Sequence, residues 1–362
     1  MSVSTTDPRE KQTRTNGANL PVISTTCPTP YQIPLVIVGW AAITLALAPL
    51  YGVLPLGTLL ANGIEYIPLG VVECMQKTNS WLGCPLAGLP GEYRLVFGLP
   101  MAMLATALQR LFDTDALAAY NLAGLMFLFA GVASMWGLLR LMGATRFWSF
   151  AGTLLFYSLS IVWGKNGYGF MMWGFVFFPA SIAATALHWR WARPLSTALL
   201  LTVVLTLHLF QEPYSFVMAL IFGAIYAAIH WLYLWKTRWA DALLKSIGWG
   251  LAIVVAILLY KLYVPGGADY STMPMSFFRG QGIDLIAFTA RPTLIFLLDL
   301  PWGVQDLNPL QFFTDGEAVY NSYLGIGFIG GIILFLAYAG VRQRPQLMAL
   351  VIIAPPALLL AL

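Results

Sequence analysis

Long runs of apolar residues, separated by short polar turns, dominate the chain. A helix needs roughly 20 mostly apolar residues to cross about 30 Å of hydrocarbon. Nine runs meet this condition, the last of them cut short: Ile33–Leu56, Ala118–Met142, Phe147–Trp163, Phe170–Trp189, Leu195–Phe210, Tyr214–Trp235, Ile247–Val264, Tyr323–Gly340 and Leu347–Leu362. The pattern therefore predicts an all-α polytopic membrane protein with about nine transmembrane helices.

Two further apolar stretches, Val96–Phe112 and Leu285–Leu300, are interrupted or flanked by proline and charged residues. We interpret both as amphipathic or re-entrant helices, which do not cross the membrane. They fall within two long segments, 57–117 and 265–322, which we predict to be outer loops. The transmembrane domain as a whole is predicted to run over 33–362.

Composition supports a membrane protein and excludes a soluble one. Hydrophobic residues make up 59% of the chain and charged residues only 9%, whereas soluble domains carry about 25% charged residues. Lipid must therefore solvate most of the exterior, which makes membrane lipid a predicted partner. The net charge of +4 is not the mark of a nucleic-acid-binding protein, and we predict no nucleic-acid partner.

The two ends of the chain differ. Residues 1–32 are polar, rich in proline and threonine, and lack the apolar core of a signal peptide. We predict that they form a disordered cytoplasmic tail. The sequence stops inside an apolar run at Leu362, so we expect that the protein continues beyond it or that this is a fragment.

The placement of charges predicts the orientation. If the amino terminus is cytoplasmic, the inner segments hold twelve of the nineteen basic residues and three of the fifteen acids. Short cytoplasmic connections are rich in Lys and Arg in membrane proteins. Letting either interrupted stretch cross would place the following basic turns outside. We therefore predict a multi-pass protein of the cytoplasmic (inner) membrane.

Several short motifs resemble the GT-C superfamily of membrane glycosyltransferases, of bacterial type. A carboxylate, Glu65, follows the first predicted span within Gly63–Gly70, and amphipathic segments come after it. The resemblance covers most of Ile33–Gly340. The other stretches that carry it are Cys84–Tyr93, Ala119–Gly131, Gln211–Pro213 and Tyr320–Gly325.

This resemblance implies transfer of a sugar from a polyprenyl-phosphate-linked donor to an acceptor at the outer face of the membrane. The family usually has an aspartate where this chain has Glu65. By position Glu65 is the candidate base for the acceptor hydroxyl, with Glu73 and Glu92 as rivals. A solvated acid near the headgroups is the alternative reading of Glu65.

The donor phosphate would need cationic partners. Arg279 and Arg291 are the best candidates, since the planar guanidinium group matches phosphate oxygens, and Lys165 is a further candidate. Each of them could equally extend toward lipid headgroups.

His208 and Glu212 lie four residues apart, so they share one helix face at the outer end of a predicted span. They are candidates for substrate binding or for half of a metal site. A helix end that meets water is the alternative. Two ligands do not define a metal site, so we predict none, although a divalent metal is compatible with the proposed chemistry.

Cys74 and Cys84 both fall in the first outer loop, where oxidation is permitted. They are candidates for a disulfide that pins this loop. Two other functions are compatible with the sequence. One is a transporter or flippase for a lipid or small solute, and the other is a non-catalytic subunit of a membrane protein complex.

Overall fold

The computed structural model describes residues 32–57, 66–82, 97–158, 162, 169–191 and 194–264. Over these ranges the regular structure is entirely α-helical. Residues up to Val38 belong to one compact unit and those from Gly39 to another, and the packing described below lies within the second. The helices are α1 Gln32–Leu47, α2 Tyr66–Lys77, α3 Leu99–Phe112, α4 Ala116–Leu141, α5 Arg146–Ser158, α6 Gly169–Arg190, α7 Pro194–Gln211 and α8 Pro213–Tyr263.

Four helical segments of the described chain are long and apolar enough to cross a membrane: Ala116–Leu141, Pro194–Gln211, Pro213–Leu232 and Arg238–Tyr263. Each overlaps a span predicted from the sequence, because the same continuous apolar runs define both. The predictions for Leu285–Leu300, Tyr323–Gly340 and Leu347–Leu362 lie outside the described residues, as does the second outer loop. The count of nine spans therefore stays a prediction.

The first predicted span is shorter than its apolar run. Helix α1 ends at Leu47, and turns follow as far as Gly57. Pro49 and Pro55 lie in this stretch, and Gly52 has a left-handed φ of 66°. Since proline cannot donate a hydrogen bond within a helix, the prediction of one helix through Leu56 is wrong.

Helices α2 and α3 follow α1 and are both short. Helix α3 has 14 residues, or about 21 Å at 1.5 Å per residue, too short to cross the hydrocarbon core. It starts after Gly98, which has a left-handed φ of 78°. One face of α3 is buried against α2 and α4. The sequence-based reading of this stretch as a helix that does not span agrees with its length.

Helix α8 is broken at Arg238, whose φ and ψ of −150° and 62° are not helical. The two limbs on either side run in opposite directions. Lys245, early in the second limb, donates a hydrogen bond to the carbonyl of Trp189 at the end of α6. Tyr263, at the end of that limb, packs against Phe210 near the end of α7. The turn predicted between two spans is thus present as a single-residue break.

Two buried tyrosines tie the bundle together. The Tyr51 hydroxyl donates to the carbonyl oxygen of Tyr157 at 2.8 Å, and the Tyr157 hydroxyl donates to that of Val176 at 2.9 Å. These bonds connect the turn after α1 with α5 and α6. The Tyr157 hydroxyl can take this position because residue 131 is a glycine: a Cβ atom at Gly131 would lie 2.7 Å from that hydroxyl.

Candidate functional site

The connection between α7 and α8 is a sharp break that Glu212 and Pro213 form together. Glu212 is extended, with a φ of −164°, and Pro213 is the first residue of α8, where a missing N–H is tolerated. The Glu212 carboxylate accepts hydrogen bonds from the backbone N–H of Tyr214, at 2.8 Å, and from that of Ser215. Glu212 therefore caps the helix that follows it, a role that shorter polar side chains take more often.

His208 lies one turn before this break, between two serine hydroxyls. Its Nδ1 atom is 2.7 Å from Ser181 Oγ on α6, and its Nε2 atom is 2.9 Å from Ser215 Oγ on α8. A neutral imidazole has one N–H donor and one acceptor nitrogen, so one serine donates to the ring and the other accepts from it. The histidine thereby links three helices.

We call these side chains and their neighbours the His208 cluster, and each is at most 1% exposed. Its members are Ser181, His208, Gln211, Glu212 and Ser215. The rings of Phe177 and Phe216 pack edge-on against the imidazole. The cluster is a polar centre within an apolar bundle.

Gly174 on α6 makes the close packing of the cluster possible. A Cβ atom at Gly174 would lie 2.4 Å from Glu212 Cβ and 2.5 Å from Ser215 Oγ. Only a glycine leaves the space that the capping turn occupies. This role could not be predicted from the sequence, because Gly174 is far from Glu212 along the chain.

Burial sets the charge preference of Glu212, which lies in the connection outside both helical spans. Removal of the carboxyl from water raises its pKa above the ordinary value, and the hydrogen bonds from Ser215 and Tyr214 oppose this rise. Among the described residues, no basic side chain forms an ion pair with Glu212. Burial therefore favours the neutral carboxyl, whereas the capping hydrogen bonds favour the carboxylate.

Gln211 connects the cluster to α3 through its backbone. Its carbonyl oxygen accepts a hydrogen bond of 2.9 Å from the N–H of Gly98, the residue before α3. Its side-chain amide is buried and has no hydrogen-bond partner in the described part of the chain. The break between α7 and α8 therefore fixes the start of α3.

The geometry of the cluster favours positioning over direct chemistry. A proton could move between the hydroxyls through His208, but no member is open to solvent. Within the described ranges, no three His, Cys, Asp or Glu side chains are grouped to hold a metal ion. A substrate could reach His208 or Glu212 only if the surrounding helices separated.

A second feature, Arg110, holds the short helices together. Its guanidinium group donates to the carbonyl oxygen of Met75 at 2.9 Å and lies 4.3 Å from the centre of the Trp81 ring. Arg110 on α3 thus fixes the end of α2 by a hydrogen bond and a cation–π contact. In the sequence, Arg110 is recognisable only as a charge that flanks an apolar stretch.

Most of the other predicted site residues lie outside the described part of the chain: Glu65, Cys84, Glu92, Lys165, Arg279 and Arg291. Helix α2 begins at Tyr66, directly after Glu65. Glu73, a rival for the role of base, is exposed and lies 3.9 Å from Lys77. Cys74 is disulfide-bonded, and its pairing with Cys84 stays a prediction.

Ser181, Ser215 and Gly174 were missed by sequence analysis. Hydroxyl and glycine residues are common within membrane helices, and nothing in their spacing sets these three apart. No protein-family model, curated protein or solved structure matches the chain.

Proposed function

We propose that the protein is a membrane glycosyltransferase that uses a polyprenyl-phosphate-linked sugar and acts at the outer face of the membrane. The main support is the arrangement of α2 and α3. These two helices are too short to span, and they pack on each other and on α4, at the end of the bundle where α7 meets α8. Glu65, the candidate base, directly precedes α2.

In this proposal the acceptor's hydroxyl oxygen bonds to the sugar, and the carboxylate of Glu65 takes the proton of that hydroxyl at the same time. The bond between the sugar and the phosphate oxygen breaks at the same time, and the polyprenyl phosphate leaves. Arg279, Arg291 or Lys165 would stabilise the charge on the leaving phosphate. A divalent metal at the phosphate is compatible with this scheme.

The His208 cluster has a supporting part in the proposal. Because His208 and Glu212 are fully buried, they are better suited to hold the break between α7 and α8 than to touch the sugar. Through the bond from Gly98 to Gln211, that break fixes the start of α3. Arg110 then connects α3 to α2, and α2 adjoins Glu65.

The test is sugar transfer in membranes that contain the full chain and a panel of polyprenyl-phosphate-linked sugars. Glu65→Gln should lower transfer about 10²- to 10⁴-fold, the usual contribution of a general base. Glu73→Gln tests the rival base in the same way: Glu73 is exposed and lies 3.9 Å from Lys77, and transfer should stay unchanged in this variant if Glu65 is the base.

Two results would contradict the proposal in different ways. Unchanged transfer by Glu65→Gln would remove Glu65 from its role as base. No transfer by the unmodified protein with any lipid-linked sugar, under conditions where it is folded, would exclude the enzyme itself.

A further inference from the structure

Gln211, the last residue of α7, has a buried side-chain amide that is unused within the described part of the chain. The residue is 1% exposed, and neither Nε2 nor Oε1 has a hydrogen-bond partner there. The other four members of the His208 cluster all form hydrogen bonds through their side chains. An amide that is buried without a partner destabilises the folded protein, because it has lost its hydrogen bonds to water. Gln211 thus keeps two donors and an acceptor for a ligand.

The two residues that precede α3 lie against this position. The N–H of Gly98 donates to the backbone carbonyl oxygen of Gln211 at 2.9 Å. The ring of Phe97 is stacked on that of Tyr214, with centroids 6.2 Å apart and planes at 11°. Gly98 has a left-handed φ of 78°, which glycine adopts at little cost. Neither contact includes a residue of α3 itself, so Phe97 and Gly98 can move aside while α3 keeps its place.

We propose that Gln211 binds hydroxyl groups of the sugar that the polyprenyl phosphate carries, after Phe97 and Gly98 have moved. This inference rests on the proposed function and assigns a specificity-determining residue to the same site. A planar amide presents an N–H donor and a carbonyl acceptor side by side, which suits two neighbouring hydroxyls of a sugar ring. Tyr214 follows three residues later and is 61% exposed. Its aromatic ring offers a surface for the apolar face of the sugar.

Contacts at the end of α7 place Gln211 beside the predicted first outer loop. The ring of Phe210, the preceding residue, packs against that of Tyr263. The Tyr263 hydroxyl donates to the carbonyl oxygen of Leu82 at 2.6 Å, and Leu82 belongs to that loop. A sugar bound at Gln211 would therefore lie next to the segment that also contains Glu65.

The experiment measures binding rather than transfer. The purified full chain in detergent is titrated calorimetrically with farnesyl phosphate esters of glucose, galactose, mannose, ribose and xylose, and with farnesyl phosphate alone. We expect at least one ester to bind more tightly than farnesyl phosphate. Gln211→Met should lower the affinity for that ester about tenfold, the usual effect of a lost hydrogen bond. The affinity for farnesyl phosphate should not change. If no ester binds more tightly than farnesyl phosphate, the proposal is overturned.

The same variant should affect stability in the opposite direction. Methionine is close to glutamine in volume but has no amide, so Gln211→Met removes the buried polar group and leaves no large cavity. The midpoint of thermal unfolding without ligand should therefore rise while the affinity for the sugar ester falls. Residues that serve binding at the expense of stability behave in this way. A lower midpoint with unchanged affinity would overturn the proposal, since it would indicate an internal partner such as an ordered water.

Gln109 on α3 provides the matched control. It is also a buried glutamine, and its side-chain oxygen has no partner in the described part of the chain. It lies about 15 Å along α3 from Leu99, at 1.5 Å per residue. Gln109→Met should leave the affinity for every ester unchanged. A loss of affinity in this variant and not in Gln211→Met would place the sugar near the other end of α3 and contradict the assignment.

A measurement on the unmodified chain covers the case in which Gln211→Met does not fold. If the sugar displaces Gly98 from the carbonyl of Gln211, the Gly98 N–H should exchange faster with deuterium in the presence of the preferred ester. The reference is the exchange in the presence of farnesyl phosphate alone. Equal exchange in the two samples would contradict the movement of this segment, and with it the access of a sugar to Gln211.

Failure of this inference can be told apart from failure of the proposed function. Sugar transfer that Gln211→Met does not affect would leave the enzyme in place and remove Gln211 from its site. Sugar binding that depends on Gln211, without transfer under any condition, would support the sugar site and exclude the transferase.

Discussion

The Nε2 atom of His208 lies 2.9 Å from the Oγ atom of Ser215, although a helix break separates the two residues. His208 belongs to α7 and Ser215 to α8. The imidazole also contacts Ser181 on α6, so a single neutral side chain joins three helices near the point where α3 begins. Buried polar groups of this kind stabilise a bundle only while every partner is present.

Replacement of His208 by leucine should therefore lower the free energy of unfolding by more than the small difference in side-chain volume would. Leucine fills a similar volume but leaves the Ser181 and Ser215 hydroxyls without the imidazole. An unsatisfied buried polar group costs about 1 to 3 kcal/mol. The midpoint of thermal unfolding in detergent should fall clearly in His208→Leu. It should rise again in part when Ser181→Ala and Ser215→Ala are added.

The same triple variant separates positioning from chemistry. If the cluster only fixes the helices, the recovered protein should transfer sugar at a rate close to that of the unmodified one. Recovery of stability without recovery of transfer would instead show that His208 takes part in the reaction. No recovery of stability would contradict the view that unpaired hydroxyls cause the loss.

Gly174→Ala tests the close approach of α6 to the capping turn. The added Cβ atom would meet Glu212 Cβ at 2.4 Å, far inside van der Waals contact. Overpacking of a tight site usually costs about 1 to 3 kcal/mol, so the unfolding midpoint should fall. Gly137→Ala on α4 is the control, since a Cβ atom there meets no atom within 4 Å. Equal midpoints for the two variants would contradict the proposed contact.

The sequence predicted much of the helical layout, because continuous apolar runs of spanning length are sufficient for that purpose. It also singled out His208 and Glu212, whose spacing of four residues places both on one helix face. It could not find Ser181 or Gly174, which meet them only after α6 packs against α7 and α8. The predicted end of α1 was wrong, because hydropathy alone does not reveal the turn that the chain makes at Pro49 and Gly52.

Glu212 predicts a dependence of stability on pH. Burial raises the pKa of its carboxyl in the folded state, so folding favours the protonated form. This contribution is fully present below the pKa of the unfolded chain and is lost as the pH rises through the raised folded pKa. The unfolding midpoint of the unmodified protein, compared with that of Glu212→Gln, should therefore fall across the mildly acidic range.

The amide of Glu212→Gln does not titrate in this range, which makes the variant an internal reference for all other groups. The oxygen of the glutamine side chain can still accept a hydrogen bond from a backbone N–H at the start of α8. Glu212→Ala removes the cap altogether and should be about 1 kcal/mol less stable than Glu212→Gln at every pH. A constant difference between the unmodified protein and Glu212→Gln would show that the carboxyl titrates normally.

Arg110→Lys should loosen α2 while leaving the charge in place. A lysine lacks the planar group that both stacks on Trp81 and donates to the carbonyl of Met75. Hydrogen exchange followed by mass spectrometry should show faster exchange in Tyr66–Lys77. Lys77→Gln, which removes only the loose pair with Glu73, should leave exchange in the first turns of α2 unchanged. Unaltered exchange in Arg110→Lys would mean that other contacts hold the helix.

The disulfide at Cys74 allows a test of the predicted topology. Cys74 is buried and disulfide-bonded, and the chain has two other cysteines, Cys27 and Cys84. Cys27 lies in the predicted cytoplasmic tail, where thiols stay reduced, so Cys84 is the expected partner. Peptide mapping without reduction should find Cys74 linked to Cys84 and Cys27 free to react with an alkylating reagent.

A disulfide between Cys74 and Cys84 should also stabilise the folded protein. Closing a loop of about ten residues contributes roughly 2 to 3 kcal/mol in the chain-entropy treatment. Cys74→Ser and Cys84→Ser should lower the unfolding midpoint equally, and the double variant should lower it no further. Cys27→Ser is the control and should have no effect. A link between Cys74 and Cys27 would place the amino-terminal tail and the first loop on the same side of the membrane, and would contradict the predicted orientation.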